Sequence, residues 1–175
     1  MSYHIYSAEA VILKRWDVGE ADTLFSFFTK DFGRIDAKAQ GVRYLKSKLR
    51  YHLSGFSFVR VSFVETSGDC WRLVDAEEYE NLDDIKTNGG KKRSILKVFS
   101  LLERLIQGQE SDTELWEEVR GFLIFLENNK LDAKDLEDFT ISTALNIMAH
   151  LGYIDKKKCS NPIMAIQQAL EQSQL

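Results

Sequence analysis

Residues 33–60, GRIDAKAQGVRYLKSKLRYHLSGFSFVR, change period twice, and those changes decide the fold. In the first part Ile35, Ala37 and Ala39 alternate with Arg34, Asp36, Lys38 and Gln40. Alternation of this kind marks a strand with one buried face. Arg34 and Lys38 then share the outer face, about 13 Å apart. The middle part abandons the alternation: Leu45, Leu49 and Leu53 recur every fourth residue, which suits a short helical turn closed by Gly55. The last part, FSFVRVSFVE over 56–65, reads as a strand again, with Phe56, Phe58, Val61 and Phe63 available for burial.

The same stretch carries an unusual charge. It holds seven basic side chains (Arg34, Lys38, Arg43, Lys46, Lys48, Arg50, Arg60) against one acid, Asp36, in a chain whose formal net charge is -4. Cations clustered against an acidic background raise the local potential and attract polyanions. Tyr44 and Tyr51 lie among them and offer ring faces for stacking bases. Arg34, Lys38, Arg43, Lys46, Lys48 and Arg50 are the expected phosphate contacts, with Lys14 and Arg15 as secondary candidates. Arg60 lies within an apolar strand, on a side of the sheet that its sequence leaves open, and is set aside.

Working outward, AVILKRW (10–16) and TLFSFFT (23–29) suit two strands, separated by a polar break at Asp17, Gly19, Glu20 and Asp22. KDFG (30–33) is a tight turn. After the 56–65 strand, TSGD (66–69) is a hairpin signal and CWRLVDAEEYE returns as a fifth strand. Five short strands with a helical insertion before the fourth fit a small closed barrel of the oligonucleotide-binding kind over residues 1–82, with an SH3-like barrel as competitor. Residues 83–93, DDIKTNGGKKR, have no apolar period and read as a linker.

Residues 94–175 read as a small all-α unit, making the fold class α+β. Ile95, Val98, Phe99, Leu102, Leu105 and Ile106 form one stripe, and Leu115, Val119, Phe122, Leu123 and Leu126 a second. A third helix starts near Ala133, turns Leu136, Phe139, Thr143, Ile147, Met148 and Leu151 inward, and ends before Gly152. A weaker helix is expected over 163–172.

Composition narrows the function classes. With 175 residues, 44% of them hydrophobic, and a single proline, the chain suits a globular protein with a core. No apolar run approaches the roughly 18 residues of a membrane span, so a cytoplasmic location is expected. Cys70 and Cys159 stand far apart and outside any C-x-x-C pair. The G-x-S-x-G and G-x-x-x-x-G-K-[ST] patterns are absent, and Asn88-Gly89-Gly90-Lys91-Lys92 has the wrong spacing for a phosphate loop. Glu20 and Asp22 are a carboxylate pair beside a turn, where such acids usually serve the turn itself. No enzyme and no cofactor is expected. A magnesium nuclease using these two acids, and a scaffold binding a peptide on its helices, are the rivals.

These residues also carry a family resemblance. Glu9-Ala10-x-x-Leu13, Gly19-Glu20-x-Asp22-x-Leu24, Thr29 and Gly33 resemble the opening signature of the RecO recombination mediators. The likeness continues through Gly41-x-Arg43, Lys46-Ser47-Lys48-Leu49, Phe56 and Leu151-Gly152-Tyr153. It implies an oligonucleotide-binding barrel followed by helices, and a nucleoid-associated, non-enzymatic role in DNA repair and recombination. It further implies binding of single- and double-stranded DNA, strand annealing, and recombinase loading with a RecR partner. The acidic C-terminal tail of single-stranded DNA-binding protein is the other implied partner. Two departures stand out. Where many members carry a four-cysteine zinc module, only Cys159 occurs, followed by Ser160, Asn161 and Pro162, so no zinc is expected. The sequence stops at Leu175, which implies a short variant with fewer C-terminal helices.

Overall fold

A computed structural model of the chain describes residues 4–53, 55–66, 70–106 and 108–155. Five strands, β1 (Tyr6–Val18), β2 (Asp22–Thr29), β3 (Gly33–Ala39), β4 (Ser57–Val64) and β5 (Trp71–Asn81), close into a barrel in the order β1-β2-β3-β5-β4. The pairings are antiparallel except β3 with β5, where Ala37, Lys38 and Ala39 lie beside Trp71, Arg72 and Leu73 in parallel. That parallel seam shuts the barrel and leaves no open sheet edge at β3. The register shifts once along β1, between Ile12 and Lys14, and twice along the β4–β5 pairing. Such irregularities sharpen the local twist that a five-stranded closure needs.

The alternation read from sequence becomes the interior. Ala8, Ala10 and Ile12, Phe25 and Phe27, Ile35, Ala37 and Ala39, and Val59, Val61 and Phe63 point inward as one core. Fully burying one of the large side chains is worth about 1.5–3 kcal/mol, and alanines on β1 and β3 leave room for the phenylalanines. The β2–β3 turn has two identifiable locks. At β2–β3 the Thr29 hydroxyl donates to the Gly33 carbonyl (2.9 Å) and accepts from the Phe32 N–H (3.1 Å). Gly33 takes φ +60 there, and an added Cβ would run into the Glu110 carbonyl.

The connection from β3 to β4 corrects one expectation. Only α1 (Leu49–His52) is helical, and residues 40–46 form successive turns. Leu49 is half-buried and Leu53 buried, but Leu45 is 82% exposed. The four-residue leucine spacing therefore does not define one buried stripe.

The chain divides into two compact units, one comprising Met1–Leu82 with Ile106–Thr113, the other Asp83–Leu105 with Glu114–Leu175. In the second, the described helices are α2 (Asp83–Thr87), α3 (Gly89–Leu105), α4 (Thr113–Asn128, whose first residue falls in the other unit) and α5 (Ala133–His150). Residues 83–93, expected as a linker, are thus almost wholly helical. The order comes from caps that local sequence hides. Both carboxylate oxygens of Glu127 accept the N–H groups of Asp84 and Ile85 at 3.0 Å. The Asn88 side chain accepts from the N–H groups of Gly90 and Lys91 at the start of α3. Lys91, 2% exposed, donates from its ammonium to the Leu126 carbonyl and the Asp84 carboxylate. The stripes on α3 and α4 are buried as read; on α5 Thr143, Ile147 and Met148 are buried, while Leu136, Phe139 and Leu151 are half-buried. Asp132 caps α5 through the N–H groups of Lys134 and Asp135. The TSGD turn lies largely, and Cys159 and the helix expected over 163–172 wholly, outside the described residues.

Candidate nucleic-acid interface

Arg34, Asp36 and Lys38 do share the outer face of β3, opposite the buried Ile35, Ala37 and Ala39. Each cation there has an acidic partner. The Lys38 ammonium lies 2.8 Å from Asp22 on the neighbouring strand. The Arg34 guanidinium lies 3.4 Å from Asp36 and donates from Nε to the Ser26 hydroxyl at 3.2 Å. Asp22 also accepts the Gly41 N–H at 2.8 Å. The hydrogen bond from Lys38, and then that from Gly41, hold its carboxyl below the ordinary value of 3.8. The strand face expected to track phosphates is therefore charge-balanced by its own carboxylates.

The unbalanced charge sits in the β3–β4 connection. Val42 and Leu53 are buried at its two ends. Next to Val42, the Arg43 N–H donates to the Ala21 carbonyl (2.9 Å), and its guanidinium donates to the Gly19 carbonyl (3.1 Å), 3.6 Å from Asp17. These contacts pin the connection to the β1–β2 turn. Between the anchors the chain turns outward, and Tyr44, Leu45, Lys46, Lys48, Arg50 and Tyr51 are all exposed. Lys46 and Lys48 make no ion pair among the described residues. The Arg50 guanidinium lies 6.0 Å from the centre of the Tyr51 ring. Cations and free ring faces on one short segment are what binding a flexible polyanion with planar bases requires.

Arg15 joins this segment from β1, and sequence reasoning had not connected them. It pairs in register with Phe25, and Asp17 with Thr23, so Arg15 and Asp17 share the face of those two residues. With Trp16, Val42, Arg43, Arg50 and Leu53 they line a groove of about 500 Å³ between the β1–β2 hairpin and the connection. Three arginines face one carboxylate, and Phe25, Val42 and Leu53 supply an apolar floor. The Arg15 guanidinium donates to the Leu53 carbonyl at 3.5 Å, and the Thr23 hydroxyl donates to Asp17 at 3.1 Å. Lys14 turns away from the groove, its ammonium 5.7 Å from the Trp16 ring centre. Arg60 also faces outward on β4, 3.9 Å from Glu9 and 5.5 Å from the Tyr79 ring centre.

The acid pair beside the first turn divides. Asp22 serves Lys38 and Gly41, while Glu20 is exposed. Among the described residues no three His, Cys, Asp or Glu side chains are grouped so as to hold a metal. Cys70 donates to the Asp36 carbonyl at 3.4 Å, and burial pushes its thiol pKa up. No described helix is long and apolar enough to cross a membrane.

A five-stranded barrel closed in this order, with its helix between β3 and β4, is an OB-fold domain. Its sequence is equally specific: residues 1–77 match the family described as Recombination protein O N terminal. The barrel unit thus matches the N-terminal domain of the RecO family, and the chain is similar to RecO proteins along most of its length. It is 25% identical over 158 residues to DNA repair protein RecO of Thermodesulfovibrio yellowstonii, covering 88% of this chain and 60% of that protein. Against the RecO of Myxococcus xanthus it is 26% identical over 152 residues, covering 86% and 60%. Against that of Dehalococcoides mccartyi it is 41% identical over 59 residues, covering 34% and 23%. The chain spans about three fifths of the length of the relatives it matches most fully.

Proposed function

We propose that the chain is a DNA-binding recombination mediator acting in DNA repair. The observation that carries this reading is the exposed set Lys46, Lys48 and Arg50 with Tyr44 and Tyr51, on a barrel of the RecO family. Phosphate contacts made by lysine and arginine carry no sequence information, so single- and double-stranded DNA are both bound without strong sequence preference. Two complementary strands neutralised on one surface repel each other less, and base pairing drives their annealing. No nucleotide hydrolysis is required.

The remaining partners follow from the family reading: RecR, and single-stranded DNA-binding protein engaged through its acidic C-terminal tail, so that the recombinase is loaded onto coated strands. A groove of about 270 Å³ between α3 and α5 supports the second. Val98, Leu101, Ile141 and Ala144 line it, with two cations, Lys97 and Arg104, and one acid, Glu137, beside them, a net positive apolar surface suited to an acidic peptide with apolar ends.

Fluorescence anisotropy of a labelled single strand, titrated at several salt concentrations, tests the reading. Four cations (Arg43, Lys46, Lys48, Arg50) on phosphates give a slope of log affinity against log salt of about −3. A slope near zero refutes it. Cleavage of the strand with magnesium favours a nuclease. Tight binding of the acidic peptide without DNA binding favours a scaffold.

A further inference from the structure

We propose that the groove between the β1–β2 hairpin and the β3–β4 connection takes one unpaired nucleotide, its phosphate on Arg43 and Arg50 and its base against the Arg15 guanidinium plane and the apolar floor. The inference rests on the DNA-binding reading above and adds to it a selection for unpaired strand. Arg15 from β1 and Arg43 and Arg50 from the connection line one groove, in which the single lining carboxylate is Asp17, 3.6 Å from Arg43. Under them lie Phe25, Val42 and Leu53. Guanidinium groups over an apolar surface suit a ligand that is anionic at one end and planar and weakly polar at the other. A nucleotide has that character, since arginine takes phosphate oxygens with its edge and a base with its plane.

The volume falls in the about 300–1,000 Å³ range of small-molecule sites, which suits a single nucleotide rather than a helix of DNA. In a duplex the bases are stacked and paired, and none enters without being flipped out at a cost of a few kcal/mol. The exposed lysines of the connection meet phosphates of either form. The groove distinguishes them.

The experiment compares three ligands of equal phosphate number at one salt concentration: a single strand, the same strand with every base removed, and a duplex. Wild-type protein binds the base-bearing strand at least tenfold more tightly than the abasic one, and the groove supplies about tenfold of that, the scale of one base contact. Arg15→Gln removes that tenfold share while changing abasic and duplex affinities by no more than about twofold. Arg15→Lys, which keeps a cation and a donor for the Leu53 carbonyl, loses most of that share as well, because the guanidinium plane is gone. Thermal unfolding confirms that both variants fold; if Arg15→Gln does not, Arg15→Lys decides.

Equal weakening of all three ligands in the variants, or of none, overturns the inference. An acidic peptide with one phenylalanine, displacing the strand from wild type but not from Arg15→Gln, also overturns it by assigning the groove to carboxylates. If wild type binds all three ligands equally, the nucleotide groove fails with the other base contacts, and the phosphate contacts stand. If it binds none, the DNA-binding reading itself fails.

Discussion

The Lys38 ammonium and the Asp22 carboxylate lie 2.8 Å apart across β2 and β3, and the same carboxylate receives the Gly41 N–H. Asp22 thereby ties the end of β3 to the start of the basic connection. Its carboxyl titrates below 3.8 in the folded chain, chiefly through Lys38. The folded pKa is lower than the unfolded one, so the ionised group stabilises above the unfolded value, and that stability is lost as pH falls through the folded one. Asp22→Asn should therefore lower the melting temperature at neutral pH, and its difference from wild type should shrink below about pH 4. A difference that stays constant from pH 7 to pH 3 would contradict the assignment.

The pairing also separates the basic residues into two groups. Lys46→Gln with Lys48→Gln should reduce the magnitude of the single-strand salt slope by about 1.4, roughly 0.7 for each phosphate released. Lys38→Gln should change it far less, because the lysine charge is already matched by Asp22. Tyr44→Ala and Tyr51→Ala should weaken single-strand binding by about 1–3 kcal/mol per stacked base at an unchanged slope. Anisotropy at four salt concentrations reads all of these together.

Gly33 offers a test of the barrel itself. At φ +60 an alanine costs about 1–2 kcal/mol in backbone strain alone, and its Cβ meets the Glu110 carbonyl as well. Gly33→Ala should destabilise by more than about 2 kcal/mol in urea unfolding followed by barrel tryptophan fluorescence. A neutral result would contradict both the left-handed backbone at Gly33 and the approach of Glu110 to it.

Lys91 tests the helical unit. Lys91→Met keeps most of the side-chain volume but leaves the Leu126 carbonyl without its buried donor. The cost expected for one unsatisfied buried group is about 1–3 kcal/mol. Because Asp84 remains half-exposed, it can return to water, so the loss should fall short of that for a fully buried ion pair. A stabilised Lys91→Met variant would show that packing at this position outweighs the hydrogen bonds.

Strand and helix positions were legible because burial follows period: Ile35, Ala37 and Ala39 could only face one way. Partnerships were not legible. Lys38 looked like a free cation because Asp22 is distant in sequence and only the β2–β3 register brings it beside Lys38, whereas the partner of Arg34, Asp36, stands two residues along the same strand. Residues 83–93 looked unstructured because one of their caps, Glu127, arrives from more than thirty residues away. Leu45 matched a helical spacing that the turns after Gly41 never realise. Arg15 read as an isolated cation next to Lys14, and nothing local joined it to Arg43 and Arg50.

The extra residue in β1, Leu13, has a further consequence. Before it, even-numbered positions (Ala8, Ala10, Ile12) face the interior; after it, the odd-numbered Arg15 and Asp17 lie on that side. One strand thus runs in two reading frames, a greasy one for the core and a charged one for the groove. Were Leu13 paired with Ser26 instead of bulged, Lys14 would fall opposite Phe25 and Trp16 opposite Thr23, turning Arg15 and Asp17 outward, with every residue of the basic connection unchanged. The make-up of the groove is thus set by one unpaired residue in the ladder as much as by the side chains themselves.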